Sequence, residues 1–169
     1  NHRLLAARAP SAQVAGVVKA DAYGLGAHQV APALAAAGCR SFFVAQLGEA
    51  LALEPHLPAD AALYVLNGVL PGEERHYAEH RITPVLNDLD QIARWSELAR
   101  RSARKLPAAV HFDTGMSRLG LTDREADQLA GDPARLDGLD LRLVMSHLVA
   151  SEESDHPHNR LQFERFAAL

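Results

Sequence analysis

The sequence places a lysine at the end of an apolar stretch and follows it with a glycine-rich turn. The apolar stretch, Val14–Val18, is rich in β-branched residues and predicts a buried strand. Lys19 comes next, and Tyr23, Gly24 and Gly26 then turn the chain towards a helical segment. An unprotonated primary amine fixed at a strand end can form a Schiff base with an aldehyde. An ordinary solvated charge is the simpler interpretation of a lone lysine, and this chemistry by itself leaves both open.

A second stretch combines polar and glycine residues directly after a later apolar run. It covers 111–120 and reads His-Phe-Asp-Thr-Gly-Met-Ser-Arg-Leu-Gly. Arg118 has the clearest chemistry in it, because a planar guanidinium can bind a carboxylate through two parallel hydrogen bonds. A glycine-rich loop with a surface arginine is the ordinary interpretation of such a stretch.

Histidines mark a third stretch, in which an apolar run over 141–145 ends in Ser146 and His147. A single histidine at a strand end is more often structural than catalytic. His156 and His158 also lie close together in the sequence, but no paired ligand pattern accompanies them. We therefore predict no metal site.

Six strand-like segments, separated by helical ones, place these three stretches at strand ends. Continuous apolar runs are typical of parallel strands that are covered on both faces. Their spacing of roughly 20 to 35 residues fits the units of a (β/α)8 barrel, which needs about 250 residues. We predict an α/β fold with about six of the eight units, and an open doubly wound sheet is the alternative. The predicted strands are Val14–Val18, Ser41–Ala45, Leu63–Leu66, Ile82–Leu86, Ala108–Phe112 and Leu141–Met145.

Two helix starts carry capping-box patterns. Asp88 with Gln91 predicts the beginning of a long helix, in which Ile92 and Trp95 share one face. Thr122 with Glu125 predicts the beginning of another, shorter helix.

Composition excludes several function classes. The 169 residues are 48% hydrophobic and 22% charged, as in a globular domain, and the net charge of −4 favours neither nucleic acid nor an acidic membrane as partner. No apolar run has the length of a membrane span. The single cysteine, Cys39, rules out an internal disulfide and suits a reducing compartment, so we predict a cytoplasmic protein.

The first stretch closely resembles the cofactor-attachment motif of alanine racemases, which are fold-type III pyridoxal-phosphate enzymes. The matching residues, 17–26, read Val-Val-Lys-Ala-Asp-Ala-Tyr-Gly-Leu-Gly. The resemblance implies that Lys19 holds pyridoxal 5'-phosphate through a Schiff base and is a catalytic base. It also implies that the hydroxyl of Tyr23 hydrogen-bonds the phosphate.

The other two stretches resemble the same family. By that resemblance, Arg118 contacts the phenolic oxygen of the cofactor and the carboxylate of the substrate, and Met116 lines the substrate pocket. His147 is then the histidine that packs against the pyridine ring. Many family members have a lysine, carbamylated in some, where this chain has His111. We predict that His111 stays neutral, with a lowered pKa, and accepts a hydrogen bond from Arg118.

The resemblance covers nearly the whole chain. It implies one pyridoxal-phosphate-binding barrel domain over residues 1–169, incomplete at both ends and without the β-rich C-terminal domain of the family. The missing part carries the tyrosine that acts as the second base from the partner subunit. The isolated fragment is accordingly expected to be inactive.

The function implied is the interconversion of L-alanine and D-alanine, a peptidoglycan precursor, by a homodimer. A racemase of serine or of several amino acids is one alternative. A protein that only binds or carries pyridoxal phosphate, and a structural fragment without activity, are two others. The Arg118 loop argues against a carrier, because a carrier has no need to bind a substrate carboxylate.

Overall fold

Helices and strands alternate along the chain in a computed structural model that describes all residues from 1 to 169. Eight helical segments are present, and two short 3-10 turns cover Glu54–His56 and Pro133–Leu136. No helix is both long enough and apolar enough to cross a membrane. The strands are β1 (Gly16–Val17), β2 (Ser41–Val44), β3 (Ala62–Val65), β4 (Ile82–Leu86), β5 (Leu106–His111) and β6 (Leu139–Met145). The helical segments are α1 (His2–Arg8), α2 (Lys19–Gly24), α3 (Ala27–Ala36), α4 (Leu47–Leu53), α5 (Glu74–Glu79), α6 (Leu89–Ser102), α7 (Asp123–Gly131) and α8 (Pro157–Ala167).

All six strands pair in parallel and in the order of the sequence, from β1 to β6. This confirms the predicted α/β fold. Sequential order is what a (β/α)8 barrel requires, whereas the strand order of a doubly wound sheet reverses at a switch point. The doubly wound alternative is therefore wrong. β1 and β6 are the two strands that pair on one side only.

The chain forms two compact units. The first comprises Asn1–Asn67 and Arg75–Pro84, and the second comprises Gly68–Glu74 and Val85–Leu169. The interior of the first contains fully buried apolar side chains, among them Phe42, Leu63, Tyr77 and Ile82. The interior of the second contains fully buried Leu86, Ile92, Trp95, Leu106 and Leu121.

Strand boundaries differ most from the sequence prediction at β1, β5 and β6, and β6 begins at Leu139 instead of Leu141. β1 has two residues instead of five, because the carbonyl oxygen of Val14 accepts a hydrogen bond from His2 Nε2 (3.0 Å) rather than from a neighbouring strand. β5 begins two residues earlier than predicted, at Leu106, whose N–H donates to the carbonyl oxygen of Gly138 (3.0 Å). Pro107 is tolerated within the strand although it has no N–H to donate.

Capping contacts fix where the helices start. Thr122 and Glu125 form the predicted capping box at α7. Only half of the predicted box forms at α6, where Asp88 accepts from the Gln91 N–H (2.7 Å). The side chain of Gln91 accepts instead from the N–H of Asn87 (3.2 Å), so it does not return to Asp88.

Candidate active site

The segment after β1 forms a left-handed turn. Ala20, Asp21, Ala22 and Tyr23 have φ values of 51°, 52°, 53° and 57°, with ψ between 35° and 50°. A left-handed helical conformation costs non-glycine residues roughly 1–2 kcal/mol each, because Cβ approaches the following carbonyl oxygen. Four consecutive residues of this kind therefore persist only if surrounding contacts hold them. From the sequence only a turn is predicted here, since alanine does not favour this conformation.

Hydrogen bonds from both ends hold the turn. The carbonyl oxygen of Asp21 accepts from the Gly26 N–H (2.9 Å), and Asp21 Oδ1 accepts from the N–H of Ala27 (2.7 Å) at the start of α3. The Ala20 N–H donates to Glu49 Oε1 at 2.5 Å. Glu49 belongs to α4, so a neighbouring helix fixes the residue that follows Lys19.

Lys19 and Tyr23 lie on this turn with accessible side chains. Lys19 is the first residue after Val18, whose N–H still donates to the carbonyl oxygen of Phe43 in β2 (2.8 Å). Its side chain is partly exposed, and 64% of Tyr23 is accessible to solvent. The amine and the phenol therefore stand four residues apart at the C-terminal end of β1.

The loop after β5 closes on itself. The Asp113 N–H donates to the carbonyl oxygen of Leu121 (2.9 Å), and the Leu121 N–H donates to the carbonyl oxygen of His111 (2.8 Å). Gly120 sits inside this closure with φ of 105°, and a Cβ there would lie 2.7 Å from the Asp113 nitrogen. Glycine is therefore required at this position, both for its conformation and for the close approach.

Asp113 organises the inside of the same loop. One carboxylate oxygen, Oδ1, accepts from the N–H groups of Gly115 (3.0 Å), Met116 (2.9 Å) and Ser117 (2.9 Å). Partial burial raises the pKa of Asp113, but these three backbone N–H groups outweigh burial and lower it overall. The carboxylate shapes the loop from which the exposed side chain of Arg118 and the half-buried side chain of Met116 project.

His111, the last residue of β5, is buried and has polar partners. Its Nδ1 lies 2.9 Å from Asn87 Oδ1, and only 7% of the residue is exposed. Burial lowers the pKa of His111, the charge of His147 lowers it too, and Arg118 adds a smaller effect of the same sign. The carboxylate of Asp113 opposes them. The predicted lowering of this pKa is thus confirmed, while the hydrogen bond from Arg118 stays a prediction.

A buried glutamine joins the loops that carry Arg118 and His147. Gln162 of α8 is 2% exposed, and its Nε2 donates to the carbonyl oxygen of His147 (2.8 Å) and to Thr114 Oγ1 (3.2 Å). Its Oε1 accepts from the Val149 N–H (2.9 Å). Thr114 and Ser146 also bond through their hydroxyl groups at 2.6 Å. The side-chain amide of Gln162 therefore connects the two loops.

The predicted site residues fall into two groups. Lys19 and Tyr23 lie in the first unit, and Met116, Arg118 and His147 lie in the second. Within the second unit, His111 is close enough to both His147 and Arg118 for their charges to affect its pKa. No group of three or more His, Cys, Asp or Glu side chains is placed to hold a metal ion.

Sequence reasoning missed three residues that hold this arrangement, namely Glu49, Asn87 and Gln162. For Glu49 a signal exists, because Gln46 and Glu49 form a capping box at α4 with glutamine in place of the usual serine or threonine. Gln162 and Asn87 carry no local signal. The hydrogen-bond partners of Gln162 lie 13 to 48 residues away in the sequence. Asn87 and its partner His111 are 24 residues apart.

This chain matches one known protein family over its whole length. The family described as "Alanine racemase, N-terminal domain" matches residues 1–169. The chain is 50% identical over 169 residues to an alanine racemase of Brucella ovis. The match covers all of this chain and 43% of that protein. It is 52% identical over 162 residues to a catabolic alanine racemase of Agrobacterium fabrum, covering 96% of this chain and 42% of that one.

A solved structure shares the fold. The alanine racemase of Bartonella henselae, crystallised with covalently bound pyridoxal phosphate, superposes with a TM-score of 0.94 at 40% identity. The match covers 99% of this chain and 49% of that protein. The chain spans less than half the length of the curated relatives it matches.

Proposed function

The chain belongs to the family of alanine racemase N-terminal domains, and we propose that the complete protein interconverts L-alanine and D-alanine with pyridoxal 5'-phosphate as cofactor. The observation that carries the proposal is the position of Lys19. Lys19 lies at the C-terminal end of a parallel strand, where a turn begins that the side chains of Asp21 and Glu49 hold. Ligands of (β/α)8 enzymes bind at this end of the strands.

The groups on this chain fit pyridoxal phosphate. Lys19 offers a primary amine to the aldehyde, and the exposed Tyr23 offers a hydroxyl that can donate to the phosphate. Arg118 offers a guanidinium for an oxyanion or a carboxylate, and His147 offers an aromatic ring for the pyridine face. Both of these side chains are exposed and follow the C-terminal ends of β5 and β6.

Lys19 has two roles in the proposal. When bound, pyridoxal phosphate takes up the electron pair that stays on the substrate's α-carbon after its proton has left. Lys19 would hold this cofactor through Nζ, because a primary amine can condense with an aldehyde. The same Nζ, when free and unprotonated, would accept or return the α-proton on one face of the substrate.

Arg118 orients the substrate. Its planar fork binds the carboxylate at two points, which fixes the orientation of the substrate's α-carbon. The Asp113 carboxylate supports this role by holding three consecutive backbone N–H groups just before Arg118. Met116, half-buried in the same loop, lines the pocket for the substrate side chain.

Racemisation also needs a proton carrier on the opposite face, since a base on one face returns the proton to the side it left. Following the family resemblance, we assign that role to a tyrosine of the partner subunit in a homodimer. We place the protein in the cytoplasm, in keeping with its single free and buried cysteine, Cys39.

Exchange of the α-proton tests this function. The complete protein is incubated with L-alanine in D2O, and loss of the α-proton signal and formation of D-alanine are followed together. We expect both with the wild type and with Lys105→Ala, and neither with Lys19→Ala. A higher kcat/KM for L-serine than for L-alanine would assign a serine racemase instead. Cofactor binding without any exchange would contradict racemase activity and leave a carrier.

A further inference from the structure

We propose that Glu49 is a positioning residue for Lys19, and that it acts by fixing the left-handed turn that follows the lysine. The proposal rests on the proposed function, because it assigns Glu49 a role in the chemistry of Lys19. It concerns a residue of α4 that shares no sequence motif with the lysine.

The contacts of Glu49 carry the argument. Its Oε1 accepts from the Ala20 N–H at 2.5 Å, while its Oε2 accepts from the N–H groups of Ala45 (2.7 Å) and Gln46 (3.0 Å). One carboxylate therefore joins three points of the chain. These are the end of β2, the start of α4 and the residue that follows Lys19.

Fixing the Ala20 N–H also fixes the backbone conformation of Lys19. The nitrogen of Ala20 and the carbonyl carbon of Lys19 belong to the same planar peptide unit. An anchored N–H sets the orientation of that plane, and hence the ψ angle of Lys19 and the direction in which its side chain leaves the backbone. One backbone bond also acts at this end, from the Ala22 N–H to the carbonyl oxygen of Val18 (2.9 Å), while the bonds of Asp21 act on Gly26 and Ala27. The bond to Glu49 is the one that holds the Ala20 N–H itself.

A carboxylate is the side chain suited to this task. It has only acceptor sites, about four in all, so it can serve three N–H donors at once, and its charge strengthens each bond. A glutamine has one acceptor oxygen and an NH2 group, which would face a backbone N–H at one of the three points. The substitution Glu49→Gln therefore preserves shape and removes part of the anchoring.

Space beside the turn allows it to move when the anchor is lost. A cavity of about 350 Å³ lies next to it and is lined by Val18, Asp21 and Glu49, among other residues of the first unit. The backbone can relax towards this space once the Ala20 N–H is released. The expected consequence is a less well-defined direction of the Lys19 side chain rather than unfolding.

The chain contains a matched control in Glu125. It occupies the same third position of a helix and completes a capping box with Thr122, as Glu49 does with Gln46. Its second oxygen also reaches a distant backbone N–H, that of Leu89, at 3.3 Å. The hydrogen bonds of its carboxylate go to Thr122 and Leu89. Replacing Glu125 thus reproduces the loss of a helix cap without the loss of the anchor.

The experiment compares Glu49→Gln with Glu125→Gln in the complete protein. Without cofactor, amide hydrogen exchange at Ala20 is measured by NMR or mass spectrometry, and thermal unfolding is recorded. With pyridoxal phosphate, attachment to Lys19 is trapped by borohydride over time and quantified by peptide mapping. Alanine turnover then gives kcat and KM separately.

We expect both variants to lose similar thermal stability, and only Glu49→Gln to accelerate exchange at Ala20. Attachment to Lys19 and kcat should fall about tenfold or more in Glu49→Gln alone, since misplacing a reacting group by 1 Å can cost up to about 100-fold. Glu49→Asp, which retains the charge but is one methylene too short to span all three donors, should show the same defect with a smaller loss of stability.

Equal attachment, equal kcat and equal Ala20 exchange in the Glu49 and Glu125 variants would overturn the inference and leave Glu49 as a helix cap. Absence of cofactor on Lys19 in the wild type would overturn the proposed function, and the inference with it. Labelling of Lys19 in the wild type distinguishes the two failures.

Discussion

His111 Nδ1 and Asn87 Oδ1 lie 2.9 Å apart in the interior of the second unit. The amide group of Asn87 donates to the carbonyl oxygen of Val85 (2.8 Å), which leaves Oδ1 directed at the imidazole. We therefore assign the proton of the neutral ring to Nδ1, where it donates to Asn87, and Nε2 is the acceptor. A neutral imidazole adds no positive charge near Arg118, so the guanidinium keeps its full attraction for a carboxylate.

Stability should depend on pH through His111. Burial lowers its pKa in the folded protein, below the ordinary value of about 6.5 that applies when the chain is unfolded. Between these two values the unfolded chain binds more protons, so the free energy of unfolding falls as pH is lowered through about 6.5. One group contributes a slope of at most about 1.4 kcal/mol per pH unit.

Denaturant unfolding from pH 8 to pH 5 measures this dependence. His111→Asn, which cannot titrate, should flatten the profile relative to the wild type over the acidic part of that range. The same substitution at the exposed His158 is the matched control. An unchanged profile in His111→Asn would show that the ring does not change protonation between the folded and unfolded chains in this range.

Gly120→Ala should destabilise the protein. The new Cβ would lie 2.7 Å from the Asp113 nitrogen and 2.9 Å from the Phe112 carbonyl carbon, and φ at this position is 105°. We expect a loss of more than about 1 kcal/mol in the free energy of unfolding. Gly131→Ala is the control, because a Cβ there meets no atom within 4 Å at the end of α7, and it should be neutral or stabilising.

The positions of the strands could be predicted from the sequence to within two or three residues at either end. Runs such as Ile82–Leu86 are apolar throughout, and all five of these residues are buried in a parallel strand. The number and spacing of the strands favoured the sequential order of a barrel but left the doubly wound order open, and the strand pairing decides between them. Strand boundaries were harder to predict where a side chain from another element bonds to the backbone. His2, for example, donates a hydrogen bond to the carbonyl oxygen of Val14.

The contacts that hold the site could not be predicted in the same way. The left-handed turn depends on Glu49, whose partner Ala20 lies 29 residues earlier, and no local propensity favours such a turn in alanine. Glutamine is typical of helix surfaces, yet Gln162 is 2% exposed. It bonds to backbone groups of the loop after β6 and to the Thr114 hydroxyl in the loop after β5. Tertiary contacts of this kind override local preference.

Gln162→Leu should cost stability because it removes the hydrogen bonds of a buried side chain. The carbonyl oxygen of His147 and the N–H of Val149 each lose a hydrogen bond to Gln162. Each hydrogen bond contributes about 0.5–1.5 kcal/mol, so we expect a loss of about 1–3 kcal/mol in the free energy of unfolding. The exposed Gln128 of α7 offers the control, and Gln128→Leu should change stability by less than about 0.5 kcal/mol.

The loss at Gln162 should also appear in function. With the bridge of Gln162 between the loops of Arg118 and His147 removed, we expect a higher KM for alanine in Gln162→Leu than in Gln128→Leu. Steady-state kinetics of the complete enzyme at a temperature where both variants remain folded makes the comparison. Equal KM values in the two variants would confine Gln162 to a structural role.

The covalent attachment of pyridoxal phosphate at Lys19 is the central claim, and the chain makes its test simple. It contains only two lysines, and Lys105 is exposed immediately before β5, at the N-terminal end of that strand. The complete protein is reduced with borohydride in the presence of the cofactor, digested, and mapped by mass spectrometry. Label on the peptide that contains Lys19, lost in Lys19→Ala and retained in Lys105→Ala, is the predicted result. Label on Lys105, or no label on either lysine of this chain, would contradict it.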